Sequence, residues 1–84
     1  MRYSIQIKKS ALKELQKLSA TERPRLIAAI DQLVEQPHIG KLLKGDLSGL
    51  RRLRVGKYRI IYEVDAGNVL ILILGVAHRK IIYR

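Results

Sequence analysis

Residues 2–8 alternate, with Tyr3, Ile5 and Ile7 on one side, which predicts a first strand buried on that face. The period then changes. From Lys9 and Ser10 onward, Ala11, Leu12, Leu15 and Leu18 fall on one side of a helix, and Ser19-Ala20 breaks the pattern. Thr21 is suited to cap a second helix, with Glu22 at its positive end and Pro24 at the third helical position, where the missing N–H is not needed. Leu26, Ile27, Ile30, Leu33 and Val34 give that helix its apolar stripe, and Pro37 stops it. The short link predicts an antiparallel αα-hairpin. Residues 37–49 read as a loop that packs on the body through Leu42, Leu43 and Leu47.

Period two returns in LRRLRVGKYRIIYEV, residues 50–64, which predicts two strands joined at Gly56-Lys57. Leu50, Arg52 and Arg54 fall on one face of the first strand, and Arg51, Leu53 and Val55 on the other. After a turn at Asp65-Ala66-Gly67-Asn68, the run VLILILGVAHR is apolar on both faces, as expected of a central strand. The expectation is a single domain over residues 1–84, of α+β class and order β-α-α-β-β-β. The helical hairpin packs on one face of a small, twisted, mainly antiparallel sheet, and the arginines point from the other.

Composition sharpens this picture at two points. The chain has 84 residues and no cysteine, so neither a disulfide nor a thiolate metal site supports the fold, which suits a reducing, cytoplasmic setting. No apolar run exceeds nine residues, far below the ~20 of a membrane-spanning helix, and the N-terminus has no signal-peptide pattern. The formal charge is +10, unevenly spread: residues 1–40 hold seven Lys/Arg against four Asp/Glu, and residues 41–84 hold ten against three. Such a balance favours a polyanion, and nucleic acid or a ribonucleoprotein before a membrane.

Two segments carry a family resemblance. KLLKGDLSGLRRLRVGKYRIIYEV, residues 41–64, contains a leucine-glycine approach followed by R-x-G-x-Y-R-x-x-Y, and GVAHRKIIYR, residues 75–84, closes on R-x-x-x-Y. In both, and nearly end to end, the chain resembles the RelE toxins of the RelE/ParE toxin–antitoxin superfamily. The resemblance implies a ribosome-dependent endoribonuclease that cuts mRNA in the decoding site. It also implies a cognate RelB-like antitoxin that holds the toxin inactive, and operator DNA as a partner only through that complex. On the residues that match, Arg59 and Arg79 correspond to phosphate-facing catalytic arginines and Tyr83 to a near-terminal tyrosine that stacks on or activates the substrate. Arg52 stands where a catalytic lysine is found, and Arg54 at a further basic position. Leu50 takes the place of another lysine, and His78 precedes Arg79 where some members have lysine.

The chemistry available is that of guanidinium groups, which match phosphate bidentately and stay charged at ordinary pH. No metal-ligand spacing is present and no cofactor is expected. Lys41, Lys44, Arg51, Lys57 and Lys80 add charges that can position RNA phosphates. The general base is open between Tyr83, if neighbouring cations lower its pKa, and His78, whose intrinsic pKa of ~6.5 suits the role if it faces the site. Strand alternation sends His78 and Arg79 to opposite faces. Plainer roles stand beside these: Arg59 in a salt bridge to Glu63 or Asp65, Arg79 in solvent, Tyr83 as an apolar plug, Tyr58 and Tyr62 as hydrogen-bonded core. Two other functions compete with RNA cleavage: a ParE-like inhibitor of DNA gyrase, and an inactive homologue that acts only as co-repressor with its antitoxin.

Overall fold

The computed structural model describes residues 2–78. Strand β1 (Ser4–Ile7) is followed by helices α1 (Lys9–Lys17) and α2 (Glu22–Leu33), and then by strands β2 (Lys41–Leu42), β3 (Arg51–Val55), β4 (Tyr58–Asp65) and β5 (Leu70–His78). The five strands form one sheet in the order β1-β5-β4-β3-β2. β1 runs parallel to β5, and every other neighbouring pair is antiparallel. The α+β class and the central place of β5 agree with the sequence pattern. β2 was not expected: two residues in the presumed loop pair with β3, and a 3-10 turn at Gly45–Leu47 follows. Two residues are too few to show a period of two in sequence.

Both helices lie on one face of the sheet. Ala11 and Leu15 from α1, and Leu26, Ile30 and Leu33 from α2, bury against Ile60, Tyr62, Ile71, Ile73 and Val76. Each large apolar side chain so buried contributes roughly 1.5–3 kcal/mol. Leu12 and Ile27, which the stripes place with the core, remain 42% and 45% exposed. A single sheet face covers only one side of each helix, and these residues sit ~100° round from the anchored positions Ala11 and Leu26.

The helix connection differs in detail from expectation. Thr21 is itself helical (φ −81°, ψ −40°) and makes no capping bond. Ser19 caps instead: its Oγ accepts from the Glu22 N–H at 3.1 Å, and its carbonyl accepts from Arg23 N–H at 2.9 Å. Arg23 then reaches back and donates to the carbonyls of Leu15 (3.1 Å), Gln16 (2.7 Å) and Leu18 (2.9 Å), which closes the C-terminal end of α1. One short connection thus caps the start of one helix and the end of the other.

A bulge in β5 sets the orientation of its second half. Ile61 pairs with Gly75 and Tyr62 with Ile73, so Leu74 has no partner on β4. Ile71 and Ile73 face the helices before the bulge, and Val76 does so after it. Strict alternation from Ile73 would have turned Gly75 and Ala77 to the helices and His78 away from them. The extra residue reverses this.

Candidate nucleic-acid interface

The helix-free face of the sheet gathers cations from three adjacent strands. Lys41 of β2 pairs with Arg52 of β3, which pairs with Ile61 of β4. One step along, Arg54 pairs with Arg59, which pairs with Ala77 of β5. Since Tyr58, Ile60 and Tyr62 of β4 pack against the core, the intervening Arg59 and Ile61 point the other way, together with Arg52, Arg54 and Lys41. Arg54 and Arg59 are directly opposite one another, an arrangement of like charges that works against the fold. Arg59 makes no ion pair with Glu63 or Asp65 among the described residues, and its Nε is buried without a hydrogen-bond partner. Ala77, the cross-strand neighbour of Arg59, offers no group that could neutralise it.

Beside this array, Lys41, Lys44 and Arg52 line a recess of about 270 Å³ with Leu42 and Leu43. Leu50 lies on the same face of the chain as Arg52 by alternation and is held to β2 by the Leu43 N–H, which donates to its carbonyl at 2.8 Å. The far end of the face is different in kind. Leu70 and Leu72 lie there with Glu63 and Asp65. Asn68 donates to Asp65 from both its side chain (2.8 Å) and its backbone (3.1 Å), and these bonds hold the carboxyl below its ordinary pKa. The face therefore runs from basic to apolar and acidic.

Other residues with expected roles lie elsewhere. Arg51 points to the helix side, where its guanidinium donates to the carbonyls of Gly40 (2.8 Å) and His38 (3.4 Å), so it is a strut rather than a member of the array. Lys57 occupies the β3–β4 turn and borders a recess of about 500 Å³ on the helix side, shared with Glu22, Arg25, Tyr58 and His78. His78 meets Tyr58 edge-to-face, with ring centroids 5.4 Å apart, on the face opposite Arg52, Arg54 and Arg59. Burial and then the adjacent Glu22 carboxylate raise the Tyr58 pKa. Tyr62 is fully buried, and its pKa is raised by desolvation, partly offset by the Gly40 N–H and Arg51. Both tyrosines thus have the structural role the sequence suggested. Arg79, Lys80 and Tyr83 lie outside the described residues. Gly40 reads in the sequence as one of the turn residues of the loop, and its ties to Tyr62 and Arg51 come from distant strands and leave no local sign.

A basic sheet face opposite a helical hairpin is an architecture with known relatives. The pattern of the family described as the ParE toxin of the type II toxin–antitoxin system parDE matches residues 5–83. Toxin RelE of Mycobacterium tuberculosis is 36% identical, aligned over 98% of this chain and 87% of its own. Toxin RelG of the same organism is 33% identical over 100% of this chain and 99% of its own. The mRNA interferase toxin RelE of Escherichia coli is 30% identical over 95% and 86%. Among solved structures, the toxin–antitoxin complex RelBE2 from M. tuberculosis superposes with a TM-score of 0.86 at 30% identity, covering 94% of this chain and 100% of that one. The archaeal RelE–RelB complex from Pyrococcus horikoshii gives 0.77 at 34% identity, covering 94% and 97%. Fold and sequence together define a type II toxin–antitoxin toxin. Within that class the chain belongs to the RelE/ParE superfamily, as a RelE-type toxin.

Proposed function

We propose that this toxin is an endoribonuclease that cuts mRNA on the ribosome. The observation that carries the reading is the helix-free basic face, where Lys41, Arg52, Arg54 and Arg59 converge and the buried Arg59 Nε has no hydrogen-bond partner among the described residues. A buried, unmatched guanidinium donor costs stability, and a phosphate group would satisfy it. The E. coli relative named as an mRNA interferase gives the reading a chemical direction.

Cleavage proceeds by attack of a 2′-OH on the adjacent phosphorus. The 2′-oxygen loses its proton to a base, the new O–P bond forms, the bond to the 5′-oxygen breaks, and that oxygen takes up a proton. Arg59 and Arg52 hold the phosphorane oxygens, where negative charge accumulates, and Arg54, Lys41 and Lys44 position the flanking phosphates. Arg79 and Tyr83 join them as the resemblance assigns. Tyr83 is the better general base, because His78 packs against Tyr58 on the opposite face. The ribosome would supply the strand in a fixed geometry, which a chain with four tyrosines and no tryptophan or phenylalanine is poorly equipped to impose by stacking. A RelB-like antitoxin is the proposed inhibitor, as the related toxins solved as RelB complexes suggest.

The test is to incubate purified toxin with mRNA, naked or on translating ribosomes, and to map the new ends. Cleavage confined to ribosome-bound mRNA is the expected result. Equal cleavage of naked RNA would remove the ribosome from the mechanism, and inhibition of gyrase supercoiling without any RNA cleavage would replace the proposal by the ParE-like one.

A further inference from the structure

β2 carries Lys41 to the edge of the basic face, yet two exposed residues at a sheet edge have little power to hold themselves there. The preceding turn is far better fixed. Tyr62 donates from its hydroxyl to the Pro37 carbonyl (2.8 Å), and the same oxygen accepts from the Gly40 N–H (2.9 Å). Arg51 donates to the Gly40 carbonyl (2.8 Å), so both backbone polar groups of Gly40 are engaged by side chains from β3 and β4. Space is as tightly used as the hydrogen bonds. A Cβ at Gly40 would stand 2.6 Å from the Tyr62 hydroxyl and 2.9 Å from the Arg52 carbonyl oxygen. Tyr62 itself is fully buried, which makes it a rigid anchor.

We infer that Tyr62, Arg51 and Gly40 form a clamp that positions Lys41 and Lys44 beside Arg52 for phosphate binding. The inference rests on the RNA-binding reading above and extends it to residues that touch no RNA. Tyr62 and Arg51 are positioning residues on the helix side of the sheet, acting through a turn that ends one residue before Lys41. With the clamp released, the two lysines remain on the chain but no longer converge with Arg52 on the same recess.

The experiment uses the full chain and a short fluorescein-labelled single-stranded RNA, with affinity followed by anisotropy across a salt series. Each phosphate contact to a single strand contributes about 0.7 to the slope of log K against log salt. Replacing Lys41 and Lys44 together by Ala is expected to lower the slope by about 1.4 in the otherwise unaltered toxin. Tyr62→Phe keeps the net charge and the ring but is expected to lower it similarly, and the two lysine replacements added to Tyr62→Phe should lower it hardly further. Arg51→Lys, which also keeps the charge but loses the fork, should behave like Tyr62→Phe and carries the test if the latter fails to fold. Full additivity in either background would overturn the clamp, since a merely structural tie leaves each lysine its own contribution. Arg59→Ala distinguishes the two levels of failure: with no effect of Arg59 on the slope, the RNA-binding reading falls and takes the clamp with it. With an effect of Arg59 but additive lysines, the clamp alone falls.

Discussion

Arg59 shows how a single residue can work against its own fold. Its Nε is buried and unsatisfied, and Arg54 is placed directly across from it. A buried donor without a partner costs about 1–3 kcal/mol, and a like-charge cross-strand pair adds to that. Arg59→Ala should therefore raise stability by about 1 kcal/mol net of lost packing, or roughly 4–8 °C in Tm for a domain of this size. The same change should lower ribosome-dependent cleavage by about 10²–10³-fold, the usual cost of removing one preorganised charge donor. Thermal melts and mRNA end mapping on the same preparation check both halves, and a destabilised variant would show that Arg59 serves the fold. The importance of Arg59 was legible in sequence, because it sits within R-x-G-x-Y-R-x-x-Y and alternates with core positions. The face of His78 rested on firmer ground only once the β5 bulge was visible. A single unpaired residue at Leu74 reverses the side chains from Gly75 to His78, and in LILILGVAH only Gly75 hints at a break in the alternation.

The best-defined element-level device is the α1–α2 connection. Ser19 supplies the N-cap of α2, and Arg23 binds three carbonyls at the end of α1. Ser19→Ala should cost about 1 kcal/mol, whereas Thr21→Ala, which removes no capping bond, should stay within about 0.5 kcal/mol. Arg23→Lys keeps the charge but not the fork, and should cost at least as much as Ser19→Ala. Urea denaturation of the three variants ranks them, and a larger loss from Thr21→Ala than from Ser19→Ala would refute the assignment. Here the signal was present in the sequence but overlooked. Ser19 and Glu22 have the S-x-x-E spacing of a capping box, which outweighs the closer position of Thr21 to the apolar stripe. β2 is the opposite case. Its two residues pair because Tyr62 and Arg51 fix the chain before them, and that long-range cause leaves no local pattern.

At the scale of the whole molecule, the net charge of +10 matters through its placement. The shifted groups, Asp65, Tyr58 and Tyr62, bear on stability at the two ends of the pH range. Asp65 has a lowered folded pKa, so its contribution is present above the ordinary carboxylate value near ~4 and is lost as pH falls through the lowered one. Tyr58 and Tyr62 have raised folded pKa values, so their contribution is present below the ordinary tyrosine value near ~10 and is lost as pH rises through the raised ones. Between these limits, ionic strength is the effective lever. Raising salt from about 10 mM to about 0.15 M shortens the screening length from roughly 30 Å to roughly 8 Å. Tm should therefore climb with sodium chloride, and further with sulfate at equal ionic strength, because a doubly charged anion that occupies the face stabilises the folded state by mass action. The sulfate increment should largely vanish in Arg59→Ala, which removes the cation whose buried Nε has no partner among the described residues, while the chloride increment, set by the whole charge, should persist. Differential scanning fluorimetry across the two salts reads both increments directly. Equal sulfate increments with and without Arg59 would mean that anions gather over the surface at large, and that the basic face is not a preformed phosphate site.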